Sequence, residues 1–376
     1  MVFVRVRCFT LIGLAWLLAS PGAQAQAKHY RVLHSFAGRD GSYANGNLVL
    51  DGDGNLYGTA ALGGSLSHGT IFKLSAAGDF SVLYSFSGGS DGGEPSAGLT
   101  IDPRTGDLYG TTDSGGGHGQ GGIFKLTSAG AFSVLHDFNA KSDGDQTLGQ
   151  MIIDGRGNLY GANSQDGPGD DGTVFERKAG GTFKILSSLS AKGGADPIGR
   201  LEKHGDKLVG VAYIGGTGSG TIFQVTTDGT FSLLKSMLGG EGLSGGVVRD
   251  KEGNLYGGDF SGGEGIIYAL SPKGKLTTLY NFTGGADGRF PVGDLLRSGK
   301  YLYGAASRGG DSGDNGTVFK LDLQGNFTLL HDFTGGPDDG AAPSGGLVEG
   351  TGGMLYGTTT RGGTKDKGVI FAVSTK

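Results

Sequence analysis

Apolar runs in this chain are short. They recur as a unit, separated by clusters of Gly, Asp, Asn and Ser. Leu-Tyr-Gly appears at 56–58, 108–110, 159–161, 255–257, 302–304 and 355–357, and Leu208-Val209-Gly210 falls where the period demands a seventh copy. The copies lie 47 to 53 residues apart. A glycine-rich stretch follows each one, then Gly-x-[Ile/Val]-[Phe/Tyr], starting at Gly69, Gly121, Gly172, Gly220, Gly265, Gly316 and Gly368. Eight residues past the aromatic, six copies open a further run, at Phe80, Phe132, Phe183, Phe231, Leu276 and Phe327. Runs of this length, rich in Val, Ile, Phe and Tyr and bounded by turn residues, predict β-strands. No helical period appears beyond residue 27.

The unit therefore predicts four strands. Strand A is the Leu-Val-Leu-Asp type at 48–51, B carries Leu-Tyr-Gly, C carries Gly-Thr-Ile-Phe and D carries Phe-x-x-Leu-x-x-Phe. Asp51-Gly-Asp-Gly-Asn55 and Gly78 mark the A–B and C–D turns, where a left-handed residue lets the chain reverse. Four-stranded units at this period predict an all-β, seven-bladed β-propeller. The ends of the chain sharpen the expectation. The last copy stops after strand C, and a lone strand-D motif, Tyr30-Arg-Val-Leu-His-Ser-Phe36, precedes the first. Strand 30–36 is expected to pair with the C-terminal strands and close the ring, which removes an open sheet edge. An open solenoid would not need this split repeat. Residues 28–376 then form one propeller domain.

Composition narrows the class. Glycine accounts for 81 of 376 residues without an every-third period, which excludes collagen and fits a chain full of tight turns. Charged residues are only 18%, so the chain is not a charge-rich disordered one. The formal charge of −5 argues against a nucleic-acid partner. Residues 1–27 have the form of a secretory signal. Arg5 and Arg7 precede a short apolar run, and Ala23-Gln-Ala25 and Ala25-Gln-Ala27 fit small-x-small cleavage sites. The run is too short to span a membrane. Removing Arg5 and Arg7 from the 31 basic residues leaves 29 against 36 acidic ones, a formal charge of −7. The only Cys and the only Trp leave with the leader, so the mature chain has no disulfide. The expected product is exported to the periplasm or the cell exterior, has no membrane span and is a monomer.

The unit Gly-x-Leu-x-x-Asp-x-x-Gly-Asn-Leu-Tyr-Gly, followed by glycines and Gly-Thr-Val-Phe-Lys-Leu, resembles the Gloeo/Verruco (GloVer) tandem repeat of exported bacterial proteins. The resemblance covers nearly all of the mature chain. It implies a repeat protein at the cell exterior, many members carrying C-terminal anchors. Here the chain ends at Lys376 just after a strand, so free export is expected. The resemblance brings no activity, and no catalytic residue is carried over.

Residues present in every repeat serve the blade, whereas a ligand site needs positions where the repeats differ. The residue preceding the apolar part of strand A differs: Asn47, Gly98, Gln150, Arg200, Gly246, Asp294 and Gly346. In a propeller this position opens on the central channel. Asn47, Gln150, Arg200 and Asp294 are therefore the candidate ligand-binding residues, and the B–C loops of the same face add Arg308 and Arg361. On that reading Arg200→Ala and Asp294→Ala would impair binding and spare stability. Tyr43, Tyr213 and Phe290 add aromatic surface to this face.

An acid recurs in the loop from strand D to the next strand A: Asp40, Asp91, Asp143, Asp196, Glu241, Asp287 and Asp339. Its regularity fits a turn-forming carboxylate better than a ring of calcium ligands. Asp166, Asp170 and Asp171 are the local metal candidates, and calcium is the ion such acids would take. Asp51–Asn55 lacks the Glu and helices of an EF-hand. His34, His136 and His331 share a strand-D column with Tyr84 and Tyr280, a packing position with a polar tip. The Gly-x-Ser-x-Gly matches at 88–92 and 242–246 lack the strand–turn–helix context of a nucleophile elbow. No cofactor signature appears. These features point to a binding module for a glycan, a cell-envelope component or a protein, held on the D–A/B–C loop face. The alternatives are a propeller lyase or hydrolase with its site at the channel mouth, and a structural or adhesive repeat protein.

Overall fold

The computed structural model describes residues 29–238 and 242–376. The leader at 1–27 and Glu241 lie outside the described residues. Six four-stranded antiparallel sheets and a closing sheet form the seven blades of a propeller. Blade 1 runs Val49–Leu50 (A), Leu56–Ala60 (B), Thr70–Leu74 (C) and Phe80–Ser85 (D). Blades 2 to 6 repeat this order. Strand A is only two residues long in blades 1, 2, 3 and 5, but runs Ala195–His204 in blade 4 and Arg289–Ser298 in blade 6. In blade 7 it is split into Gly340–Pro343 and Val348–Glu349, both paired with Met354–Gly362. The fourth strand of blade 7 is Tyr30–Ser35, antiparallel to Val369–Ser374. The ring closes as the split repeat predicts. Among the described residues the only α-helix is the single turn Ala140–Asp143.

The Leu-Tyr-Gly unit has a packing reason at each position. Its glycine pairs across the sheet with the strand-C aromatic, as in Gly58↔Phe72, Gly210↔Phe223 and Gly357↔Phe371. The ring lies over the glycine, and a β-carbon on Gly58 would sit 2.5 Å from Phe72 and 2.8 Å from Leu48. All seven copies are crowded in this way, so alanine there would displace a core aromatic. In three copies the tyrosine caps the A–B turn. Asp51 accepts bonds from the Asp53 and Asn55 N–H groups, the Asn55 amide and the Tyr57 hydroxyl. Asp154 and Asp250 repeat the cap with Tyr160 and Tyr256.

There is no single core. Seven apolar clusters each lie between consecutive blades, such as Leu48, Leu56, Phe72 and Phe36 between blades 7 and 1. Burial of one such phenylalanine is worth about 2–3 kcal/mol. Every blade is thus stabilised by two neighbours, and closure of the ring supplies blade 7 with its second.

Candidate functional site

The seven residues that begin the inner strands converge on the propeller axis. Asn47 of blade 1 donates its amide to Asp294 Oδ2 of blade 6 at 2.7 Å and to Gln150 Oε1 of blade 3 at 3.3 Å. Its own carbonyl oxygen accepts from the Gly346 N–H of blade 7 at 2.5 Å. Asp294 Oδ1 accepts from the Gly246 N–H of blade 5 at 2.7 Å and from the Arg200 N–H of blade 4 at 3.2 Å. Gln150 donates to the Leu99 carbonyl of blade 2. One side-chain network therefore touches all seven blades. Asn47, Gln150 and Asp294 meet as expected, but they bond to one another and to backbone. Arg200 reaches Asp294 through its backbone N–H, not its guanidinium. The expectation that Asp294 is dispensable to folding does not fit this placement, because its carboxylate ties blade 6 to three other blades.

The network divides the channel. On the D–A loop side lies a mouth of about 210 Å³, lined by Asn45, Ser96, Leu148, Ile198, Ser244 and Ser344 with glycine backbone. On the A–B turn side lies a larger cavity of about 450 Å³. Arg200 lines that larger cavity with Arg249, Arg297 and Glu202. Sequence reasoning missed Arg249 and Arg297. Their register position pairs with the Leu-Tyr-Gly leucine, and the seven copies read Leu50, Ile101, Ile153, Lys203, Arg249, Arg297 and Glu349. The break in symmetry was legible there.

The other candidates lie apart from the axis. Arg308 ends strand B of blade 6, exposed, 3.5 Å from Asp314. Arg361 is exposed near the end of strand B of blade 7. Asp166, Asp170 and Asp171 share the B–C loop of blade 3, where Asp166 and Asp170 take left-handed backbone conformations. Among the described residues, no three His, Cys, Asp or Glu side chains stand close enough to hold a metal.

The D–A acids bind at the blade junctions. Asp40, Asp143 and Asp339 bond to the imidazoles of His34, His136 and His331 at 2.8, 3.0 and 3.1 Å. Asp91 and Asp287 accept from the Tyr84 and Tyr280 hydroxyls, both at 2.9 Å. Each carboxylate also caps a backbone N–H of its turn, for example those of Ala37 and Thr334. Asp196 does not belong to this set. Thr70, Thr173 and Thr317 bond to the carbonyls of Asp40, Asp143 and Asp287, whereas the matching Thr221 bonds to that of Gly193. Asp196 stands three residues further on, at a left-handed position shared with Tyr43 and Phe290. Gly193 occupies the turn position that Asp40, Asp143 and Asp287 hold in their copies, and Asp196 is the nearest acid to it.

Asp113 was also missed. It is the only acid at its position among Ala61, Ser164, Tyr213, Phe260, Ser307 and Thr360. Burial pushes its carboxyl up to about 7, against the bond from Ser96, with Glu94 and Asp145 adding to the rise. Ser96 in turn lines the loop-side mouth.

Exposed large apolar side chains fall into two groups. Tyr43, Leu62, Leu66, Leu148, Ile214 and Leu238 sit on or beside the D–A and B–C loops. Val82, Leu83, Val134, Leu233 and Leu329 lie on the outer strands. Leu238 is 77% exposed and Tyr43 50%. Tyr213 and Phe290 are more covered, with Phe290 edge-on to Phe260.

Solved structures share the fold. Virginiamycin B lyase of Staphylococcus aureus is similar at a TM-score of 0.63 and 13% identity, over 92% of this chain and 99% of that one. The extracellular domain of a putative hybrid two-component system of B. thetaiotaomicron is similar at a TM-score of 0.58 and 11% identity, over 92% of this chain and 42% of that one. Among curated proteins none matches the sequence. The Gloeobacter/Verrucomicrobia repeat matches residues 23–219 and 213–376, and the chain belongs to that family.

Proposed function

We propose that this protein is an exported propeller binding module whose D–A/B–C loop face docks a protein partner. The observation that carries the reading is the exposed apolar set on that face: Leu62, Leu66, Leu148, Ile214 and Leu238 beside Tyr43. Saccharide rings are held by stacking on aromatic faces, and only one of these six residues is aromatic. Aliphatic surface rimmed by charge suits a protein contact. Arg308 and Arg361 supply that charge, while Asn47, Gln150 and Asp294 hold the ring beneath it. A fold shared with a lyase and with the extracellular domain of a two-component system is compatible with many functions, so the surface carries the argument.

The test is site-specific photo-crosslinking in the cell that makes the protein. A benzophenone side chain at Leu66 should give one discrete protein adduct, lost when Leu62 is changed to Glu. The same group at Leu83, on an outer strand, should give none. An adduct of equal strength from Leu83, or no protein adduct from Leu66, would refute the reading.

A further inference from the structure

The larger axial cavity lies on the opposite side of the Asn47–Asp294 network from the loop face, and the docking surface does not use it. Three arginines line it, Arg200, Arg249 and Arg297. Among the described residues none of the three makes a side-chain hydrogen bond. The nearest approach is Arg249 Nε to Glu202 Oε1 at 3.9 Å, and the Nε atoms of Arg249 and Arg297 are buried without a partner. Arg104, by contrast, pairs with Asp102 at 2.8 Å, and Arg289 reaches Asp314 at 3.2 Å.

The lining holds three arginines against two acids, Asp294 and Glu202, an excess of one positive charge. Asp294 is spent on two backbone N–H groups and the Asn47 amide. Asp250, behind Arg297, already takes the Asn254 N–H, the Asn254 amide and the Tyr256 hydroxyl. Among the described lining residues, Glu202 is the acid without a side-chain hydrogen bond, and Arg249 stands 3.9 Å from it. The rest of the wall is aliphatic: Leu50, Ile101, Val248, Leu296 and Val348.

We infer that this cavity binds a small amphiphilic oxyanion, with a carboxylate or phosphate among Arg200, Arg249 and Arg297 and an aliphatic body against the valine and leucine wall. Guanidinium forks match both oxyanions in geometry and carry a fixed charge. A volume of about 450 Å³ lies within the range of small-molecule sites, which combine apolar walls with a few convergent polar groups.

Calorimetric titration of residues 28–376 with octanoate and with octyl phosphate tests this. Saturable binding of either is expected, and the stronger of the two identifies the head group. 1-Octanol should bind at least about tenfold more weakly, as should octanoate to an Arg249→Met, Arg297→Met double variant. That variant keeps the aliphatic stems, and loop-face crosslinking from Leu66 should persist in it, which separates this site from the docking reading. Equal binding of 1-octanol, unchanged affinity in the folded double variant, or no saturation by either anion up to about 10 mM would overturn the inference.

Discussion

Five of the seven blade junctions are clasped at the rim, and two are not. In the five, a His or Tyr on strand D stacks on the aromatic that opens strand D of the next blade. The pairs are His34 on Phe80 at 3.6 Å, Tyr84 on Phe132 at 4.0 Å, His136 on Phe183 at 3.7 Å, Tyr280 on Phe327 at 4.6 Å and His331 on Tyr30 at 3.6 Å. A turn aspartate bonds the polar tip of each. Between blades 3 and 4 the equivalent positions hold Ser187 and Phe231, and between blades 4 and 5 they hold Lys235 and Leu276. Neither can form the stack. The junction of blades 3 and 4 instead buries Leu186 and Leu189 with Leu201 and Val225. Blades 4 and 5 are also the two whose backbone N–H groups Asp294 takes at the axis. The ring is held by polar clasps at its rim on one side and by its axial carboxylate on the other. A repeat can lose a shared contact if another radius of the same ring supplies one.

The strongest way to break this contrast is Asp294→Ala. It leaves two backbone donors and the Asn47 amide without their acceptor, at a cost of about 2–4 kcal/mol. Denaturant titration should show the loss, and local hydrogen exchange should rise first in blades 4 and 5. A loss spread evenly over all blades would count against the axial carboxylate as the tie for this side.

Next comes His331→Ala, at the junction where the N-terminal strand joins the ring. Losing the stack on Tyr30 and the bond to Asp339 should cost about 2 kcal/mol. Burial alone would raise the Asp339 carboxyl, but the His331 imidazole and the Thr334 N–H hold it to about 2. Its folded-state value lies below that of the unfolded chain. The stability it lends is therefore complete above about pH 4 and is lost as pH falls through about 2. Acid titration of His331→Ala should show less of this loss. Ser187→Ala, by contrast, should change stability by less than about 0.5 kcal/mol.

The clasp can also be installed. Ser187→Tyr with Gly193→Asp would copy the Tyr84–Asp91 arrangement onto Phe231. A β-carbon at Gly193 would stand 2.8 Å from the Phe231 ring, so that ring must shift into the stacked position. A gain of about 1 kcal/mol is expected by thermal unfolding. Destabilisation would mean that Phe231 is locked by the aliphatic packing around it.

Much of this architecture was legible. The seven repeats, the strand order and the closing strand followed from Leu-Tyr-Gly spacing and the split last unit, since register and turns are local properties. The convergence of Asn47, Gln150 and Asp294 followed from a break in internal symmetry. Their mutual bonding did not, because those partners are 103 and 247 residues from Asn47 in sequence. Asp196 was misplaced for a local reason: the turn position itself is Gly193, and the nearest acid stands three residues on. The clasp was half visible: the His/Tyr column and the acid column each stood out, but stacking joins adjacent blades and is invisible within one unit.

The smallest expected effect tests the choice between histidine and tyrosine at the clasp. Burial pushes the His34 imidazole below its ordinary value, with Asp40 opposing. A histidine with a lowered folded-state pKa binds fewer protons folded than unfolded. Stability then falls as pH drops below about 6.5. Tyr84 does the same task with a phenol that burial and Asp91 raise to about 12, so it stays neutral across this range. His34→Tyr keeps the stack on Phe80 and a donor to Asp40. It should change the stability at pH 7.5 by less than about 0.5 kcal/mol. Between pH 7.5 and 5.5 its melting temperature should fall less than that of the parent. Parallel pH profiles would show that the His34 clasp carries no proton-linked stability, and the two kinds of clasped junction would then be equivalent in acid as well.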